Sequence, residues 1–259
     1  MTRLVSTFAF LILLVTVAAC GGSREALLTP AERATYAGTN TIALAPVNLT
    51  AKERPQELIA ASDYIERVLT QRLERSGFRV IPPTQSWGVY DTLALSTQNK
   101  YETVTGEPNP AVMPGLKSAF ARRMSEQHGA DAVLFPEVLL VKAKIRGGTA
   151  DWDDVQEPVS VGLQDEAARS RSNVADALAA LSLAVELLTA DGQRLYEHRA
   201  GLEYLEPLKQ TQPTPVLFRN QSEKEGVMTD PTRVERAVLL NLEVLARKKA
   251  AAGTAEAVQ

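Results

Sequence analysis

Histidine, cysteine and aromatic residues are scarce in this 259-residue chain, which holds two, one and 5% of them respectively. The single cysteine, Cys20, excludes any disulfide within the chain and any cysteine-rich metal site. The core must therefore hold itself together by packing. Of the two histidines, His128 falls near the end of an expected helix, where partial positive charge suits the dipole. Neither it nor His198 stands in a His-Glu helix motif. There is no Ser-His-Asp constellation and no Gly-rich phosphate loop, and Ser222-Glu223-Lys224 lacks the Ser-x-x-Lys spacing. No catalytic centre, metal site or cofactor is expected. Basic blocks are missing too. Lys plus Arg number 28 against 31 Asp plus Glu, a net charge of −3, with no run able to neutralise phosphates, so nucleic acid is excluded as a partner. Asp151, Asp153 and Asp154 around Trp152 lack the Gly and closing Glu of a calcium loop and read as a solvated acidic loop.

What is present is ordinary globular usage, 45% apolar and 23% charged, behind a distinctive leader. Arg3 supplies a positive start, and Phe8 to Val17 forms an apolar run too short for the ~20 residues a bilayer crossing needs. This reads as a signal peptide rather than a membrane span. Val17-Ala18-Ala19-Cys20 then resembles the bacterial lipobox, which implies cleavage between Ala19 and Cys20. The chemistry asks for cysteine because a thiolate accepts the diacylglyceryl group, and cleavage frees its amine for a further acyl chain such as palmitate. At ~0.8 kcal/mol per buried methylene, two or three chains hold firmly. The alternative is a plain secretory signal with Cys20 a spare thiol. By resemblance to Gram-negative lipoproteins, Gly21 at the second mature position, with no Asp there, implies the periplasmic face of the cell outer membrane.

The pattern along the rest divides into residues 20–39 as a lipidated flexible tether, 40–249 as one periplasmic domain, and 250–259 as a disordered tail. Thr41 to Val47 is an apolar run expected to be a strand buried on both faces. Leu58, Ile65, Val68, Leu69 and Leu73 recur at helical spacing from Gln56 to Ser76, with Gly77 placed to end the helix. Phe78 to Ile81 resumes an extended pattern, making a βαβ unit that Pro82-Pro83 stops. Trp87 to Leu95 predicts a helical turn or two, and Tyr101 to Pro114 a loop. Leu116 to His128 predicts a helix closed by Gly129. Ala132 to Arg146 is extended, and Pro136 predicts a bulge or exposed edge. Residues 147–176 read as a polar excursion without a period. Leu181 to Leu187 alternates and Asp191-Gly192 signals a hairpin, against a helical reading of the Ala-rich 175–188 stretch. After a Pro-containing loop over 207–229, Asp230 caps and Pro231 opens a final helix to about Lys249, with Val234, Val238, Asn241, Leu242 and Leu245 on one side.

The fold class is therefore α/β (α+β), a mixed sheet with a βαβ unit, a C-terminal hairpin and a terminal helix. That order resembles the periplasmic lipoproteins whose folded part is like the TolB N-terminal domain, including CsgG-type and penicillin-binding-protein-activator lipoproteins. The carriers are Ile42 to Asn48, Leu73 to Val80, Gly129 to Leu134 and Val185 to Gly192. Such a resemblance implies a non-enzymatic lipoprotein that binds an envelope protein as scaffold, activator or transport accessory, with a CsgG-like secretion pore as the alternative. Fold does not choose between these. Two sets of residues are candidate partner contacts. Trp87 and Tyr90 qualify if exposed, since aromatics are enriched at interface hot spots, and core packing is the plainer reading for both. Lys142, Lys144 and Arg146 alternate on one strand face that would meet an acidic partner, or simply remain solvated.

Overall fold

A computed structural model describes residues 30–49, 56–103, 106–146, 148–159, 177–205 and 230–256. The βαβ unit is present. β1 (Thr41–Leu44) is buried at every residue, as an apolar run between two covered faces requires. Helix Gln56–Arg75 follows and ends at Gly77, which takes the left-handed φ of +87° that a side chain disfavours. β2 (Arg79–Ile81) then lies parallel to β1. On the other side of β1 runs β3 (Ala132–Arg146), also parallel. Between β2 and β3 come helices Pro83–Ser96 and Met113–His128. Beyond β3 the sheet turns antiparallel. β4 (Thr149–Trp152) and β5 (Val155–Pro158) form a hairpin on one edge of β3, and β6 (Ala177–Thr189) and β7 (Arg194–Tyr204) form another on the opposite edge. The result is a seven-stranded mixed sheet. In chain order the helices are α1 (Pro30–Gly38), α2 (Gln56–Arg75), α3 (Pro83–Ser96), α4 (Met113–His128) and α5 (Pro231–Glu256).

Strand alternation divides the core into two layers. Leu134 and Val138 of β3, with Leu183, Val185 and Leu187 of β6, pack against Ile65, Leu69 and Leu73 of α2 and Val234, Val238, Leu242 and Leu245 of α5. The opposite face offers Val133 and Phe135 to Val89 and Tyr90 of α3 and Leu116, Phe120 and Met124 of α4. Each such fully buried side chain contributes roughly 1.5–3 kcal/mol of transfer free energy. The α5 stripe expected from its spacing is the buried one, and Asp230 caps the helix by accepting from the Thr232 amide at 2.9 Å.

Several sequence expectations need correction. The first strand stops at Leu44 rather than Val47, since Pro46 and the positive φ of Asn48 break the extended run. Part of the tether is helix: Tyr36 of α1 is 1% exposed, and its hydroxyl donates to the Leu195 carbonyl at 2.7 Å. Lys249 holds the end of α1 by donating to the carbonyls of Tyr36, Ala37 and Thr39, where a cation suits the helix C-terminus. α3 is a full 14-residue helix rather than a turn or two. The final helix continues past Lys249 to Glu256. Of the bulge or exposed edge expected near Pro136, the structure shows no bulge and places the proline on the edge that β1 has left. It pairs in register with Val185, and its carbonyl accepts from Asn48 on the other edge, so its missing donor faces the side where β1 has already ended. The Ala-rich stretch is strand, and the Asp191-Gly192 turn joins β6 to β7 with Gly192 at φ +85°. The polar excursion contains the β4–β5 hairpin, and residues 160–176 and 206–229 lie outside the described residues.

Candidate functional site

The far half of β3 is where the sheet meets solvent. From Leu140 onward the even-numbered side chains of the strand are exposed. Leu140 is 56% exposed, and Lys142, Lys144 and Arg146 are exposed beyond it on the same face, while Ala143 on the other face is fully buried. Their cross-strand neighbours set the local charge. Lys144 stands opposite Asp151 of β4, Lys142 opposite Ala179 of β6, and Arg146 opposite Thr149. Lys142 and Arg146 therefore carry charge that no neighbour across the ladder offsets.

Under this ridge lies a third apolar cluster that fixes its shape. Ala143, Ala150, Trp152, Val155, Val159 and Ala180 pack together where the β4–β5 hairpin folds over the sheet. Asp153 and Asp154 make the turn, both at positive φ, which asparagine and aspartate tolerate better than other side-chain-bearing residues. Of the expected solvated acidic loop, Asp154 is exposed and Asp153 is tied down. The Asp153 carbonyl accepts from Gly201, its carboxylate accepts from the Ser182 hydroxyl at 2.6 Å, and the Trp152 indole donates to the Leu181 carbonyl at 3.1 Å. Gly201 is what admits the indole, because a Cβ there would sit 2.6 Å from Trp152 Nε1. Glu157 of β5 anchors the other strand of the hairpin to α5 through Arg236 at 2.8 Å and Arg233 at 3.2 Å.

His198 is the second histidine that the sequence offered. Its Nε2 faces Asp154 at 3.4 Å and its Nδ1 faces the Asn241 side chain at 3.1 Å, with its ring stacked 6.2 Å from Tyr196. Asn241 is fully buried and donates to the carbonyls of Leu183 and Ala237. Burial, and after it the neighbouring Tyr36, push the Tyr196 phenol well above its ordinary value, so it stays a neutral donor to the Asn241 carbonyl. Ser182 is held by Asp153 and His198 by Asp154 and Asn241. Among the described residues, then, the hydroxyl and the imidazole do not form a nucleophile and base pair. His128 sits in the last turn of α4, followed by Gly129 in the left-handed region at φ +66°.

The remaining candidates separate. Trp87 is 37% exposed on α3, whereas Tyr90 is 7% exposed and meets Phe120 edge to face, so it belongs to the core. Ala19 and Cys20 lie outside the described residues. Sequence reasoning missed Lys117, which reaches from α4 to Glu137 of β3 and Glu186 of β6, both at 2.9 Å. Burial alone would lower its pKa, but the two carboxylates outweigh that and hold it above the ordinary lysine value. Two acidic residues in neighbouring strands with an inward lysine on a helix were the available signal. A groove of about 260 Å³ runs between α2 and α5, lined by Val68, Arg72, Arg75, Glu235 and Leu239 among others. Among the described residues there is no helix long and apolar enough to cross a membrane, and no cluster of three or more groups suited to a metal ion.

No protein-family model matches the chain, and no curated protein matches it. Among solved structures it is similar to lipoprotein GNA1162 of Neisseria meningitidis, at 16% identity and a TM-score of 0.31, over 64% of this chain and 83% of that one.

Proposed function

We propose that this chain is an outer-membrane lipoprotein, anchored through acyl chains on Cys20, whose folded part binds another envelope protein in the periplasm. Its role is that of scaffold, activator or transport accessory. The observation that carries the binding half is the exposed end of β3, where Leu140 stands 56% exposed beside Lys142, Lys144 and Arg146. A rigid strand that aligns an apolar group with a row of cations is suited to recognising an acidic protein surface. The anchoring half is supported by Cys20, the sole cysteine, standing in Val17-Ala18-Ala19-Cys20. A TolB N-terminal-domain-like fold fits the parallel βαβ unit, the antiparallel hairpin and the terminal helix.

The pore reading gains less support. Lipid-facing strand positions disfavour Lys and Arg by about 2–4 kcal/mol each at the bilayer midplane, and the exposed face of β3 carries three such residues. Fractionation tests the anchor: the wild-type chain is expected in the outer-membrane fraction and the Cys20→Ala variant in the soluble or inner-membrane fraction. A wild-type chain that is soluble without the added mass of acyl chains contradicts it. Liposome conductance separates binding from pore formation, and selective ion leakage by the purified protein would overturn the preference for binding.

A further inference from the structure

β3 is longer than the elements that line its β1 edge, and among the described residues part of that edge has no partner. The Leu134 and Pro136 carbonyls accept from the Ala45 and Asn48 amides, so even-numbered residues turn their main-chain groups this way. Asn48 closes the paired stretch with its side chain, accepting from the Val138 amide at 2.6 Å and donating to the Val138 carbonyl at 3.3 Å. β4 takes up the same edge only at Lys144, opposite Asp151, and leaves it after Trp152, where the Asp153-Asp154 turn carries the chain toward β7. Between these points strand alternation points the N–H and C=O of Leu140 and Lys142 into the gap, and among the described residues nothing pairs with them there. At ~3.4 Å per residue, residues 139–143 leave about 17 Å of open edge, room for about five residues of extended chain.

We propose that this gap accepts an extended acidic segment of the partner protein, which adds to the sheet as a strand between Asn48 and β4. The inference rests on the protein-binding reading above and names its chemistry. Main-chain hydrogen bonds supply the docking, as in strand addition generally, and side chains at alternate positions supply the choice of partner. Lys142 lies in the gap without an acidic neighbour across the ladder, and Lys144 and Arg146 follow it on the same face, so a strand with a carboxylate at every second residue sets negative charge directly against Lys142 and beside the other two cations. The same cations oppose self-pairing, because two copies of this edge would bring like charges together. The edge is closed to itself and open to an acidic strand.

The test uses the full chain and two capped seven-residue peptides, one alternating glutamate with valine and threonine, the other with lysine in place of each glutamate. Fluorescence anisotropy is expected to give saturable binding of the acidic peptide at least tenfold tighter than of the basic one. Amide hydrogen exchange at Leu140 and Lys142 is expected to slow at least tenfold in the acidic complex. Lys142→Glu removes a side chain that makes no ion pair among the described residues, so the fold should persist while the peptide preference weakens or reverses. Equal binding of both peptides, binding without slowed exchange at these amides, or uptake only by phosphatidylglycerol vesicles would overturn the proposal. Capture of a partner in cells that is unchanged by Lys142→Glu would overturn it too, and would leave the protein-binding reading intact.

Discussion

Substituting Gly201 by alanine places a methyl group against the one rigid side chain that seats the β4–β5 hairpin. The added Cβ would lie 2.6 Å from Trp152 Nε1, 2.8 Å from its Cε2 and 2.9 Å from Val155 Cβ, all well inside contact distance. An indole cannot bend away, and Trp152 is 5% exposed within a packed cluster, so the hairpin must shift as a unit. Overpacking of this kind costs about 1–3 kcal/mol. The shift also strains the indole bond to the Leu181 carbonyl and the Gly201 bond to Asp153, at about 1 kcal/mol each. The expected loss is about 3–5 kcal/mol, measured by urea unfolding followed by circular dichroism. Indole emission in a Trp87→Phe background should report Trp152 moving toward solvent. Because the clash is between two named side chains, Gly201→Ala combined with Trp152→Leu should lose less than the sum of the single variants. A Gly201→Ala protein within about 0.5 kcal/mol of wild type, with unchanged emission, would refute the proposed seating of the hairpin.

Three further substitutions probe the contacts that join distant parts of the chain. Asn241→Leu leaves the Leu183 carbonyl without its buried donor and should cost about 1–3 kcal/mol in thermal or urea unfolding. Lys249→Met removes the ammonium from three carbonyls at the end of α1, so amide exchange in residues 34–38 should accelerate with a loss of about 1–2 kcal/mol. Lys117→Met leaves Glu137 and Glu186 facing each other and should cost about 1–3 kcal/mol at neutral pH. Its pKa is raised in the folded state above 10.5, so the wild-type advantage is fully present below that value and fades as pH rises through the folded pKa. An advantage that instead disappeared between neutral pH and pH 9 would contradict the ion-pair assignment.

Local signals made the main elements readable. The spacing of Ile65, Leu69 and Leu73, the Asp191-Gly192 turn and Pro231 behind Asp230 each act within a few residues, and α2, the β6–β7 hairpin and α5 follow from them. Elements seated by distant partners were hidden. Tyr36 is buried in a helix whose end is held by Lys249, more than two hundred positions away in sequence. The β4–β5 hairpin looks polar because its inner face is marked by no large apolar residues beyond Trp152 and Val155, with small Ala150 beside them, and the seat of the indole depends on Gly201 of β7. Exposed Leu95 and small Gly88 and Ala94 blur the period of α3. For the site, alternation alone placed Lys142, Lys144 and Arg146 on one face. The open edge beside them was not readable, since it arises from where β1 ends, where Asn48 reaches and where β4 departs.

Photocrosslinking from position 142 in intact cells bears most directly on binding through the exposed end of β3. A crosslinker there should join the chain to one envelope protein, and the same group at the exposed Glu126 of α4 should not. No adduct from position 142, or the same adducts from both positions, would contradict it.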